Sequence, residues 1–143
     1  MLNILYAEDD QDCRELFSFV LQQRGHKIHE AVNGAQAVQI MREEAVDLVI
    51  LDTRMPMMSG YDAAQIIARE QPQVPIAFFS AKGMHLEITQ AFACSEHVVD
   101  YLVKPVLPNQ LVIWVESTLQ GCLNRGMADI REENMARELV AAG

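Results

Sequence analysis

Four groups of side chains able to do chemistry each stand directly after, or at the end of, a short apolar run: Glu8, Asp9 and Asp10 together, then Asp52, Ser80 and Lys104. Carboxylates brought into one crevice repel one another, and the ordinary remedies are a shared proton or a bound divalent cation. Oxygen ligands with no His or Cys among them point to Mg2+. A lysine and a hydroxyl across the same crevice add one fixed positive charge and one hydrogen-bond donor, as an incoming phosphoryl group requires. The set suggests phosphoryl transfer by carboxylate and metal.

What brings the four groups together is the pattern of elements. Apolar runs of strand length fall at Asn3–Ala7, Lys27–Ala31, Asp47–Leu51, Pro75–Phe79 and Val98–Val103, with helix-length segments between them whose apolar residues repeat at three and four. In the first helical segment Cys13, Leu16, Phe17, Val20 and Leu21 share one face, Gly25 supplies a stop, and Asp10 and Asp12 suit the positive end of the helix dipole. Asn33 and Gly34 open a second helix carrying Ala37, Val38, Met41 and Ala45, and Ser59 or Gly60 opens a third carrying Ala63, Ile66 and Ile67. A fourth is predicted from about Met84 to Ala93, and Pro108 suits the first turn of a fifth. The third and fourth strands are almost continuously apolar, as strands buried on both faces are, so the sheet should be parallel and covered by helices on both sides. In such a sheet the ligand site lies beyond the carboxyl ends of the strands, where the four groups fall.

A chain of 143 residues, half of them hydrophobic, supports one core, so we expect one domain with a short appendage. Twenty acidic against 11 basic residues, a net charge of −9, oppose direct binding to nucleic acid or to an anionic membrane surface. No run approaches the roughly 18 apolar residues of a membrane span, and the start lacks the order of a secretion signal, so a soluble cytoplasmic protein is expected. Cys13, Cys94 and Cys122 have no metal-ligand spacing and read as reduced thiols; the four histidines receive no role.

The stretches Ile4–Asp10, Leu48–Gly60, Phe79–Ala81 and Asp100–Pro105, in that order over residues 1–120, resemble the receiver domains of bacterial two-component response regulators. The resemblance implies an α/β, flavodoxin-like, doubly wound five-stranded parallel sheet in the order 2-1-3-4-5, with five helices plus a C-terminal helical extension over residues 121–143. By similarity Asp52 is the nucleophile that takes a phosphoryl group from a phospho-histidine on a sensor histidine kinase or a histidine phosphotransfer protein. Glu8 and Asp9 match the acidic pair that holds Mg2+, Asp9 directly and Glu8 through water, with Asp52 and the backbone carbonyl of Arg54 completing the ligands. Lys104 pairs with a phosphoryl oxygen, and Lys104–Pro105 matches the family's cis peptide. Ser80 is the switch hydroxyl and Tyr101 the aromatic ring that swings inward after it. The surface that reads the switch is that of the fourth helix, fifth strand and fifth helix, which would meet an unidentified downstream protein or a second copy in a homodimer.

Some features depart from the pattern. Arg54 and Lys82 put cations at positions flanking the phosphoryl pocket, where they are expected to restrict the attacking water. Cys94–Asp100 suggests a longer connection before the fifth strand, and Trp114 falls off the Leu111, Val115, Leu119 stripe, which predicts partial exposure. After a break from Gly121 to Gly126, Met127, Ile130, Met135 and Leu139 predict a short amphipathic helix that could dock on the receiver, pair in a dimer or begin a linker. The main expectation is a signalling switch that catalyses only its own phosphorylation and dephosphorylation. Two alternatives are a degenerate receiver acting as a protein-interaction module and a Mg2+-dependent phosphohydrolase working through an aspartyl phosphate. The second is opposed by Arg54, which stands where haloacid-dehalogenase-type hydrolases carry a general acid.

Overall fold

The apolar runs become five parallel strands in a computed structural model that describes residues 1–142: β1 (Asn3–Ala7), β2 (Lys27–Ala31), β3 (Leu48–Leu51), β4 (Ile76–Ser80) and β5 (Val98–Val103). They form one sheet in the order β2-β1-β3-β4-β5, as expected. Strands β1, β3 and β4 lie inside the sheet, and from Ile4 to Ala7, Leu48 to Leu51 and Ile76 to Ser80 every residue is buried. Helices α1 (Gln11–Gln23) and α5 (Pro108–Arg125) cover one face, where Phe17, Leu21, Leu111, Val115 and Leu119 pack on Ile4, Ile50 and Phe79. Helices α2 (Gly34–Glu43), α3 (Gly60–Glu70) and α4 (His85–Cys94) cover the other.

Each of the first three helices starts on a side chain able to satisfy an orphan backbone amide. Asp10 accepts from the amide of Cys13 at 3.0 Å, Asn33 from Gln36 at 2.7 Å and Ser59 from Asp62 at 3.1 Å. Two expected core residues lie elsewhere. Leu16 is exposed because α1 turns Phe17 and Leu21 inward, and Ala45 lies beyond the end of α2 and is exposed.

The C-terminal region differs most from expectation. Helix α5 continues through Gly121 to Arg125, and the chain breaks only at Gly126, where φ is +89°. Gly121 stays helical and makes room for the next helix, since a Cβ there would lie 2.8 Å from Cδ1 of Ile130. Helix α6 (Met127–Ala142) then packs on β5 between α4 and α5 of the same chain. Gly143 lies outside the described residues.

Strand β5 is an edge strand, and an edge leaves a row of carbonyls without partners. Near its start β5 carries a bulge: Ile76 faces Val98 and Ala77 faces Asp100, so Val99 is the extra residue. Helix α6 satisfies this edge with side chains. Asn134 donates to the carbonyl of Val99 at 3.0 Å, and Arg131 donates to those of Phe92 (2.7 Å), Ser95 (2.8 Å) and Val98 (2.9 Å).

Asp100 ties three elements together. Its Oδ1 accepts from the amide of Tyr101 at 2.8 Å, while Oδ2 accepts from Trp114 Nε1 at 2.7 Å and from Arg137 Nη2 at 3.3 Å. Trp114 is therefore half-buried with its indole N–H engaged, its ring 6.4 Å from that of Phe79. Burial outweighs these donors and pushes the Asp100 carboxyl up to about 6; Glu138 and Arg137 of α6 act on it in opposite senses, and Cys122 of α5 is close enough to feel its charge. Above that value folded and unfolded chains both carry the charge and the burial penalty is complete, whereas below the ordinary 3.8 neither does. This group's contribution to stability therefore rises as the pH falls from neutrality toward 4. Asp100→Asn removes that slope: between about pH 7 and about pH 4 the stability of the parent relative to the variant should increase by up to roughly 3 kcal/mol in denaturant titrations. Parallel pH dependences for the two proteins would contradict this.

Candidate functional site

All five strands run the same way, so the residues that follow β1, β3, β4 and β5 meet at one edge of the sheet. The backbone sets their relative heights: the amide of Asp52 donates to the carbonyl of Ala7 at 3.1 Å and that of Lys104 to the carbonyl of Ser80 at 2.8 Å. The start of α3 is pressed against the end of β3. A Cβ at Gly60 would lie 1.8 Å from the carbonyl oxygen of Asp52, so glycine is required there.

Glu8, Asp9 and Asp52 present carboxylate oxygens within 4.8 Å of one another. Lys104 Nζ closes the crevice, donating to Glu8 and lying 3.3 Å from Asp52 Oδ2, and it also sits 5.0 Å above the ring of Phe79. The other oxygen of Asp52, Oδ1, accepts from the amide of Thr53 at 2.7 Å. Glu8 is buried, Asp52 and Lys104 are mostly covered, and Asp9 is exposed at the mouth.

Burial raises the pKa of Glu8, as does the adjacent Asp52, while Lys104 opposes the rise. For Lys104 burial alone would lower the pKa, but the hydrogen bond to Glu8 and the charge of Asp52 outweigh it and the ammonium is held charged. Three carboxylates against one ammonium leave a shortfall of positive charge that a single divalent cation would fill. The all-oxygen donor set at an accessible crevice fits a hard cation of that kind. The side chain of Arg54 is exposed in the loop between β3 and α3.

Ser80 and Tyr101 lie one layer deeper. Ser80 Oγ lies 2.9 Å from Thr53 Oγ1 and accepts from the amide of Lys82 at 3.2 Å. Tyr101 is fully buried, stacked on Phe78 with ring centroids 6.0 Å apart, and its hydroxyl donates to the carbonyl of Lys82. The ring thus already points inward while Ser80 is bonded to Thr53. Lys104–Pro105 is a cis peptide.

Thr53 is the residue that sequence reasoning missed. Two residues past the end of β3, it is fully buried with its hydroxyl on Ser80. The available signal was a hydroxyl beside the acidic residue that directly follows an apolar strand. Arg14 was missed as well; from the first turns of α1 it donates to the carbonyl of Glu8 at 2.7 Å and steadies the acidic turn.

Comparison with known proteins agrees with this geometry. The family model for the response regulator receiver domain matches residues 4–116. The transcriptional regulatory protein SrrA of Staphylococcus aureus is 32% identical over 117 residues, covering 82% of this chain and 47% of that protein, so the chain spans about half the length of this relative. Among solved structures, the response regulator TrrA of Thermotoga maritima, in complex with Mg(2+)-BeF, is 30% identical with a TM-score of 0.73, covering 82% of this chain and 98% of that one. The non-phosphorylated HemR receiver domain of Leptospira biflexa is 27% identical with a TM-score of 0.75, covering 83% and 94%. The chain belongs to the response regulator receiver domain family and is a receiver of two-component signalling. Among the described residues, no helix is long and apolar enough to cross a membrane.

The crevice carries a direct test. Asp9→Asn should weaken binding of Mg2+ or Mn2+, titrated calorimetrically, by about tenfold or more. An affinity within twofold of the parent would remove Asp9 from the ligand set.

Proposed function

We propose that this receiver accepts a phosphoryl group on Asp52 from a phospho-histidine, carried by a sensor histidine kinase or a histidine phosphotransfer protein, in a Mg2+-dependent reaction. The observation that carries the reading is the placing of Asp52 Oδ2 beside Lys104 and within reach of the Glu8 and Asp9 carboxylates. The Thr53 amide holds Oδ1, and Oδ2, paired with Lys104, is the oxygen that attacks phosphorus. The O–P bond forms as the P–N bond breaks, and the electron pair leaves on the imidazole nitrogen. The carboxylates of Glu8, Asp9 and Asp52, with the carbonyl of Arg54, would hold Mg2+. When bound, the ion neutralises charge on the phosphoryl oxygens.

Lys104 then exchanges its carboxylate partners for a phosphoryl oxygen, and the Ser80 hydroxyl leaves Thr53 to donate to another. These contacts exist only in the loaded state, so they shift an equilibrium between two arrangements of the loop that follows β4. The only chemistry proposed for the chain is its own phosphorylation and dephosphorylation, and its place is the cytoplasm. Its output passes by way of α4, β5 and α5 to a downstream protein.

Intact mass after incubation with acetyl phosphate and Mg2+ tests the reading. The expected result is a gain of one phosphoryl group, about 80 Da, that disappears in Asp52→Asn and without Mg2+. No gain from acetyl phosphate and no binding of beryllofluoride would favour the interaction-module alternative. Once the chain is loaded, Arg54→Asn and Lys82→Glu should each shed phosphate several-fold faster, because long cationic side chains beside the pocket hinder the attacking water. Equal rates in both variants would dismiss that role.

A further inference from the structure

The α4–β5–α5 face is not open in this protein, because α6 lies along it. Helix α6 is attached through apolar and polar groups together, with Met135, Leu139 and Ala142 packed against the core. Only Ile130 and Asn134 are buried among its described side chains, while Met127, Met135 and Leu139 are half-covered. The directional contacts are those of Arg131 to three carbonyls, Asn134 to the bulge carbonyl and Arg137 to Asp100. A helix of 16 residues is marginal alone in water, so its order depends on this docking.

The docking contacts bear on the switch elements. Arg131 bridges the last turn of α4 (Phe92), the connection after it (Ser95) and the first residue of β5 (Val98), so its fit depends on how α4 sits against β5. The other end of α4 follows Lys82, whose carbonyl holds Tyr101 and whose amide holds Ser80. Asp100, the partner of Arg137, is the residue before Tyr101. Movement of Ser80 toward a phosphoryl oxygen therefore disturbs both ends of the segment that α6 clasps.

We infer that α6 is a displaceable occupant of the α4–β5–α5 face, and that loading of Asp52 loosens it and exposes that face. The second half rests on the phospho-acceptor reading above; the first does not. A second protein reaches the face only in place of α6. The chemistry that fits there is that of α6 itself: an amphipathic helix with Arg, Asn and Arg at successive three-residue steps beside an Ile, Met and Leu stripe.

Hydrogen–deuterium exchange by mass spectrometry on the full chain tests this, with and without Mg2+ and beryllofluoride, the adduct being read separately by 19F NMR. With the adduct formed, amides of residues 127–142 should exchange about tenfold faster, while those of β1 and β3 keep their protection. Adduct formation with unchanged or slower exchange in α6 would overturn the coupling. A double variant, Arg131→Ala with Asn134→Ala, tests displaceability without loading. It should show fast exchange in α6 over a core as protected as the parent's. If α6 keeps the parent's protection in that variant, the helix is a fixed part of the fold and the inference fails, whether or not Asp52 loads. Protection of α6 that falls on dilution would assign the helix to a second copy and overturn the intramolecular form.

Discussion

Three carboxylates and one ammonium are held together at the rim of a sheet whose central strands are otherwise apolar, and this unbalanced cluster constrains everything around it. Burial, and after it the adjacent Asp52, raises the proton affinity of Glu8, and the cluster persists because Lys104 offsets part of the repulsion and the rim remains open to a cation. The parallel sheet makes the convergence unavoidable, since strands that run one way deliver their carboxyl ends to one edge. The rest of the molecule keeps that edge rigid: an apolar sheet, helices on both faces and the contact of Gly60 with the end of β3.

A second polar system lies along the β5 edge. Here the difficulty is hydrogen bonding rather than charge, because a bulged edge strand leaves carbonyls facing outward. In α6 the side chains of Arg131 and Asn134 supply donors that a neighbouring strand would otherwise provide. Asp100 sits where the systems adjoin, one residue from Tyr101 and bonded to both Trp114 and Arg137. The acidic crevice and the helix on the α4–β5–α5 face are thus joined by a short hydrogen-bonded route through Ser80, the backbone of Lys82 and Tyr101. A route of this kind becomes allosteric only where two states of it are populated, which is why exchange of α6 is the informative observable.

How much of this could be read in advance follows from the range of each interaction. The alternation of apolar runs and amphipathic stretches is local, and the strands lie within a residue or so of where that pattern puts them. The caps Asp10, Asn33 and Ser59 act over three residues and were legible for the same reason. Leu16 misled because the apolar stripe of α1 is wider than the area the sheet covers, and Gly121 misled because a glycine that makes room for a neighbour looks like one that ends a helix. The role of Thr53 depends on Ser80, 27 positions away, and no local pattern encodes that partner.

The sequence by itself determined the class of fold and the membership of the crevice, because periodicity sets the elements and a parallel sheet then fixes where the polar residues after them must go. Only the tertiary structure decided which oxygen of Asp52 faces Lys104, that Ser80 is bonded to Thr53 and that Tyr101 is buried. It also decided where the C-terminal helix docks. The physical reason is that these are choices among partners distant in the chain, settled by packing and by the need of every buried donor and acceptor for a partner, and residue type alone does not rank them.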